Sequence, residues 1–130
     1  MSKPEPLPPL SEAQMEIMNA VWGRGEVTVA DVWKALSARR KVARNTVLTM
    51  IVRLEEKGWL IRDASGHAYR YRAAMPREAT LGTMIERLVE TAFGGSAEGL
   101  VMALLHGRGV SKQEAKRIRA LIAKAEGKTP

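Results

Sequence analysis

No cysteine occurs among the 130 residues of this chain, which excludes disulfides, thiol nucleophiles and thiolate metal centres. No apolar run approaches the roughly 18 to 20 residues that a bilayer span needs, so membrane insertion is not expected. The opening MSKPEPLPPL has neither the basic start nor the apolar middle of a secretory signal, and the expected location is the cytoplasm. A catalytic constellation is missing too. His67 sits in a polar turn and reads as a phosphate contact or plain surface, His106 as a surface residue near a helix end, and neither has a carboxylate and a nucleophile patterned around it. Glu12, Glu16, Asp31, Glu55, Glu56 and Asp63 are scattered over caps and solvated helix faces, where a metal-dependent nuclease needs its acids clustered. Neither enzymatic activity nor a cofactor or metal is expected.

What is present is a globular composition, 45% hydrophobic and 27% charged, with 21 Lys and Arg against 14 Asp and Glu, a formal charge of +7 and a pI of about 10.1. This balance favours a polyanionic partner but does not choose among DNA, RNA and an anionic membrane surface. Its distribution says more. Between Arg39 and Arg72 nine Lys and Arg stand against three acids, although a solvated basic surface would show the same excess.

Residues 1–9 hold four of the six prolines and no apolar periodicity, and read as a disordered arm. Ser11 with Gln14 makes a capping box ahead of Ile17, Met18, Val21 and Trp22 at helical spacing, so a first helix is predicted over residues 12–22, stopped by Gly23 and Gly25. Val27 suits a short strand. Thr28 with Asp31 caps a second helix over 29–37, carrying Val29, Val32, Trp33 and Leu36. A third helical pattern over 44–57 has Lys57 in its last turn and Gly58 in the stop position. From Trp59 to Arg72 the chain alternates with period two around Asp63, Ala64, Ser65 and Gly66, which predicts a β-hairpin. Tyr69 and Tyr71 are expected inward and the arginines outward. Helix, short strand, helix, helix, hairpin is the order of a winged helix-turn-helix.

After Pro76 the pattern is purely helical. Leu81, Met84, Ile85, Leu88 and Val89 form one stripe, Leu100, Val101, Leu104 and Leu105 a second, and Ala115, Ile118, Leu121, Ile122 and Ala125 a third behind a capping box of Ser111 and Glu114. The expected fold class is mainly α with a small β-hairpin wing: an arm over 1–9, a winged-helix domain over 10–74 and a helical domain over 75–130. So short a helical domain buries its own stripes poorly. A second copy of the chain is the simplest cover, the alternative being the N-terminal domain of the same chain. The candidate dimer contacts are Leu81, Met84, Ile85, Leu88, Leu100, Leu104, Ile118, Leu121 and Ile122. Trp22, Trp33 and Trp59, with Met15, Met18, Met84 and Met102, read as core filling.

The functional signal lies in the third helix. Val47, Ile51 and Leu54 fall on one side, with Leu48 and Glu55 at its edge, while Asn45, Thr46, Thr49 and Arg53 share the opposite side. Small hydroxyl and amide side chains can approach base edges closely; Asn suits adenine, Thr offers a hydroxyl or a methyl, and Arg reaches guanine or phosphate. Met50 is expected beside them, against a thymine methyl. Arg44 stands at the helix N-terminus, which also favours phosphate. In the hairpin, Arg62, His67, Arg70 and Arg72 suit phosphates beside the groove. The expected DNA-binding set is Arg44, Asn45, Thr46, Thr49, Met50, Arg53, His67 and Arg70. A winged-helix protein-interaction adaptor without specific DNA binding is the competing reading.

Three strings, LSEAQMEIMNAVWGRGEVTVADVWKAL, ARNTVLTMIVRLEEKGWL and GHAYRYRAAMPRE, give the chain from Leu10 to Ala125 its resemblance to the penicillinase repressor family, the BlaI and MecI type of bacterial winged-helix repressor. The resemblance implies an N-terminal DNA-binding domain, a C-terminal dimerisation domain and a homodimer that blocks transcription from a palindromic double-stranded operator. It implies base contacts from Asn45, Thr46 and Thr49 and wing contacts near His67 and Arg70. In the β-lactam-responsive members a membrane sensor protease system leads to cleavage of an Asn–Phe bond, and Ala103 and Leu104 stand at that place in this chain, so induction by cutting there is not expected. A copper-responsive branch uses C-terminal cysteine pairs, which this chain lacks.

Overall fold

The computed structural model describes residues 7–127. Along them run α1 (Glu12–Arg24), β1 (Glu26–Val27), α2 (Val29–Ser37), α3 (Arg44–Glu56), β2 (Leu60–Asp63), β3 (Arg70–Ala73), α4 (Arg77–Ala92), α5 (Ala97–His106) and α6 (Lys112–Gly127). The strands form one antiparallel sheet in the order β1-β3-β2. Among the described residues, six helices with one small sheet are the mainly α fold with a hairpin wing that the hydrophobic pattern predicted.

Local chemistry explains the boundaries. Ser11 and Gln14 exchange side-chain and backbone hydrogen bonds at the start of α1, and Thr28 and Asp31 do the same at α2, so two orphan backbone donors are satisfied at each end. Helix α1 runs two residues past its expected end, because Gly23 stays helical and the stop is Gly25, at φ 88°. At the end of α3, Trp59 N–H donates to Leu54 O at 2.9 Å and Gly58 N–H to Glu55 O at 3.0 Å, with Gly58 at φ 91°. This paired 6→1 and 5→2 closure requires a left-handed residue after the helix. At α6 only half of the expected box forms: Ser111 Oγ accepts the Glu114 N–H, and the Glu114 carboxylate turns to Arg108 at 3.4 Å.

The N-terminal core joins Ile17, Met18 and Val21 of α1, Val27 of β1, Val32 and Leu36 of α2, Val47, Ile51 and Leu54 of α3, and Trp59, Leu60 and Tyr71. Each tryptophan packs there and finds a backbone acceptor for its indole N–H: Met75 O for Trp22, Val42 O for Trp33 and Pro8 O for Trp59, all at 2.9 Å. The last bond corrects part of the arm expected over 1–9. Leu7 packs on the core and Pro8 accepts from Trp59, because a buried indole needs a partner; residues 1–6 lie outside the described residues.

By packing, the described residues divide into two compact units, one on each side of the link between Met84 and Ile85 in α4. Thr80, in the first turn of α4, is buried, with its hydroxyl donating to Pro76 O at 3.1 Å. In α5 and α6 no residue is buried. Met84 and Met102 are exposed within the single chain, which corrects their assignment as core filling. Among the described residues no single helix is long and apolar enough to cross a membrane.

Candidate nucleic-acid interface

Helix α3 turns Val47, Ile51 and Leu54 into the core and leaves Arg44, Asn45, Thr46, Thr49 and Arg53 exposed. Its N-cap is Ala43, which supplies no side-chain hydrogen bond; Thr46 N–H turns to Ala43 O at 3.1 Å, and no cap side chain stands in the way of an outside acceptor at the start of the helix. Arg44 lies over the Trp33 ring, 5.4 Å from its centroid, which fixes the cation at the start of the helix. Met50 differs from expectation. It is half-buried and packs against the core, because it stands one residue before Ile51 and three after Val47, on the flank that meets the rest of the domain.

Leu48 and Val52 take the opposite flank and are exposed. Val52 was missed by the sequence reading, although it follows Asn45 by seven residues and Thr49 by three, the spacing of one helical face.

The wing is shorter in strand and longer in loop than the alternation suggested. β2 pairs with β3 from Leu60↔Ala73 to Asp63↔Arg70, leaving His67 and Tyr69 in the connecting loop, both exposed. Tyr71 is buried, at 2% exposure, whereas Tyr69 is 51% exposed, which corrects its inward assignment: it precedes the strand and lies beyond the edge of the core. Its ring instead stacks under Arg62, with the guanidinium 4.5 Å from the centroid. Arg62 is paired across the ladder with Tyr71, so the two share one face of the sheet, and its Nε lies 3.5 Å from the Glu55 carboxylate of α3.

Arg70 and Arg72 alternate to the other face, and Arg70 stands 3.9 Å from Glu26 on β1. At the start of the loop the Ser65 N–H donates to Asp63 at 2.9 Å; the Ser65 side-chain and backbone hydrogen bonds hold the Asp63 carboxyl below its ordinary value. Burial pushes the Tyr71 hydroxyl up, keeping it neutral in the core. The structure therefore gathers Asn45, Thr46, Thr49 and Arg53 on one helix face, with Arg44 at its start, and carries His67 and Arg70 on a separate wing. Among the described residues no cluster of three or more metal-ligating side chains exists.

A three-helix core closed by a three-stranded wing, with a polar outward face on its third helix, defines a winged helix-turn-helix protein. The sequence profile of the family described as Penicillinase repressor matches residues 10–124, and the chain belongs to that family. A transcriptional regulator BlaI from Mycobacterium tuberculosis is 33% identical over 114 residues, covering 86% of this chain and 82% of that one. The solution structure of the Bacillus licheniformis BlaI monomeric form in complex with the blaP half-operator is similar at TM-score 0.50 and 27% identity, over 56% of this chain and 89% of that chain. MarR from E. coli, at TM-score 0.51 and 18% identity over 89% of this chain and 77% of that one, shares the fold alone. Relatives from Bacillus licheniformis and Staphylococcus aureus, 22% and 21% identical over 89% and 87% of this chain and 91% and 90% of theirs, are penicillinase repressors.

Proposed function

We propose that this chain is a cytoplasmic transcriptional repressor that binds a two-fold symmetric operator as a homodimer, with α3 in the major groove of each half-site and the wing on the flanking backbone. The observation that carries the reading is α3 itself: one side fully committed to the core, and the other presenting Asn45, Thr46, Thr49 and Arg53 beside an Arg-bearing wing. The half-operator bound by the similar B. licheniformis BlaI monomeric form supports operator DNA as the partner. Arg44, His67 and Arg70 are the proposed backbone contacts, since cations and exposed loop donors suit phosphate.

Dimerisation is inferred from the exposed apolar side chains of the last three helices. Leu88 is 41% exposed and Leu121 67%, and Met84, Ile85, Leu104 and Ile122 are exposed with them, more aliphatic surface than one helical domain leaves to water without a use. A second copy places two reading helices about 34 to 36 Å apart, one turn of DNA, or a multiple of it. The sensor-protease partner implied by the family resemblance belongs to this reading only with a cleavage site other than Ala103–Leu104, which lies in the last turn of α5.

Fluorescence anisotropy of the purified chain on duplex from its own upstream region, against a scrambled duplex at two salt concentrations, tests the proposal. It predicts a strong preference with two protomers per duplex. Equal, weak and steeply salt-dependent binding to both would favour the adaptor reading.

A further inference from the structure

The outward face of α3 contains more than polar groups. Leu48 is 42% exposed and Val52 39%, one helical turn apart, with Thr49 beside both. The Thr49 hydroxyl donates to the Asn45 carbonyl at 2.9 Å, so its hydrogen is committed to the helix backbone and the side chain keeps a methyl to present. Leu48, the Thr49 methyl and Val52 thus make a short aliphatic strip, bordered by Asn45, Thr46 and Arg53. Scattered exposed aliphatics are common on protein surfaces. These two differ in standing on α3, whose exposed amide, hydroxyl and guanidinium groups suit base edges, in a chain of charge +7.

In the major groove the aliphatic group on a base edge is the thymine 5-methyl. We propose that Leu48, Thr49 and Val52 form a strip that reads thymine methyl groups, an inference that rests on the DNA-reading role of α3 proposed above. The strip favours thymine because methyl and aliphatic carbons leave water together, whereas a cytosine in the same place has no 5-methyl and would bring its polar 4-amino group against the Leu48 and Val52 carbons. Asn45 and Arg53, at the borders, remain free to hydrogen-bond neighbouring bases. Met50, the side chain expected in this role, packs on the core and takes no part.

The test begins with the sequence that the full chain selects from a random duplex library. Each thymine in it is then replaced by deoxyuridine, which removes the methyl and keeps the pairing edge. At one or more positions affinity should fall about fourfold, the effect of roughly one buried methyl or methylene. Leu48→Ala, Val52→Ala or Thr49→Ser should lose a similar factor, and at least one should bind thymine and deoxyuridine duplexes equally. All three positions are exposed, and unchanged thermal melts would show that the fold is intact. If the chain rejects scrambled DNA yet tolerates deoxyuridine everywhere, or if every variant keeps the full deoxyuridine effect, the strip does not read methyls, although α3 still reads sequence. Selection of no sequence at all would overturn this inference and the proposed function together.

Discussion

Replacing Gly58 by alanine perturbs the turn that carries the chain from the reading helix into the wing. Its φ of 91° costs an L-residue about 1 to 2 kcal/mol, reduced by the roughly 0.4 to 1 kcal/mol that Gly→Ala contributes through a stiffer unfolded chain. A net loss of about 1 kcal/mol follows from the backbone alone. The added Cβ also meets Leu7 Cδ2 at 3.1 Å, so Leu7 must give way where it packs on the core.

Gly25→Ala is the control, because Gly25 has φ 88° and nothing within 4 Å of a Cβ. For a domain of this size about 1 kcal/mol corresponds to roughly 4 to 8 °C in Tm. Thermal unfolding followed by circular dichroism should therefore place Gly25→Ala about that far below wild type and Gly58→Ala lower still. In a Leu7→Ala background the two should converge. A Gly58→Ala chain as stable as wild type would refute the backbone argument, and a gap that survives Leu7→Ala would refute the steric one.

Arg70 stands 3.9 Å from Glu26, so Glu26→Gln should release it and tighten DNA binding a few-fold, whereas Arg70→Ala should lower the salt slope by about one unit; salt titrations by anisotropy check both, and unchanged slopes would remove Arg70 from the contacts. Leu88→Asp places a charge on the proposed dimer stripe and should give monomers by sedimentation velocity; a persisting dimer would place the interface elsewhere. The Thr28 N–H holds the Asp31 carboxyl below its ordinary 3.8. Being lower in the folded state, it contributes stability that is complete above the unfolded value and is lost as pH falls through the folded one. Asp31→Ala should cost about 0.5 to 1 kcal/mol at neutral pH and flatten the acid limb of the stability curve; parallel acid limbs would contradict the capping account.

The parts legible in the sequence are those with a local cause. Capping pairs located the starts of α1 and α2, the 3.6-residue period separated Val47, Ile51 and Leu54 from the outward face of α3, and Gly58 marked its end. What was illegible depended on tertiary neighbours. Helix α3 has apolar side chains on both flanks of its core stripe, and periodicity does not say which flank the domain covers. Met50 and Val52 were accordingly misplaced or missed. Alternation put Tyr69 on the same side as Tyr71, but not that β3 begins one residue later, beyond the core's edge. The proline-rich start carried no periodicity, and only the acceptor required by the Trp59 indole ties Pro8 down. In the last three helices the stripes were legible, whereas exposure is what their present surroundings leave.

The central claim is that the outward face of α3 reads DNA sequence, and Asn45→Ala tests it most directly. Asn45 is exposed on the first turn of that face, and a good base pairing of this kind is worth about 1 to 3 kcal/mol of discrimination. Measured by anisotropy at fixed salt, Asn45→Ala should lose about that much affinity for the selected operator while binding scrambled duplex as wild type does. Equal losses on both duplexes, or none on either, would contradict the claim.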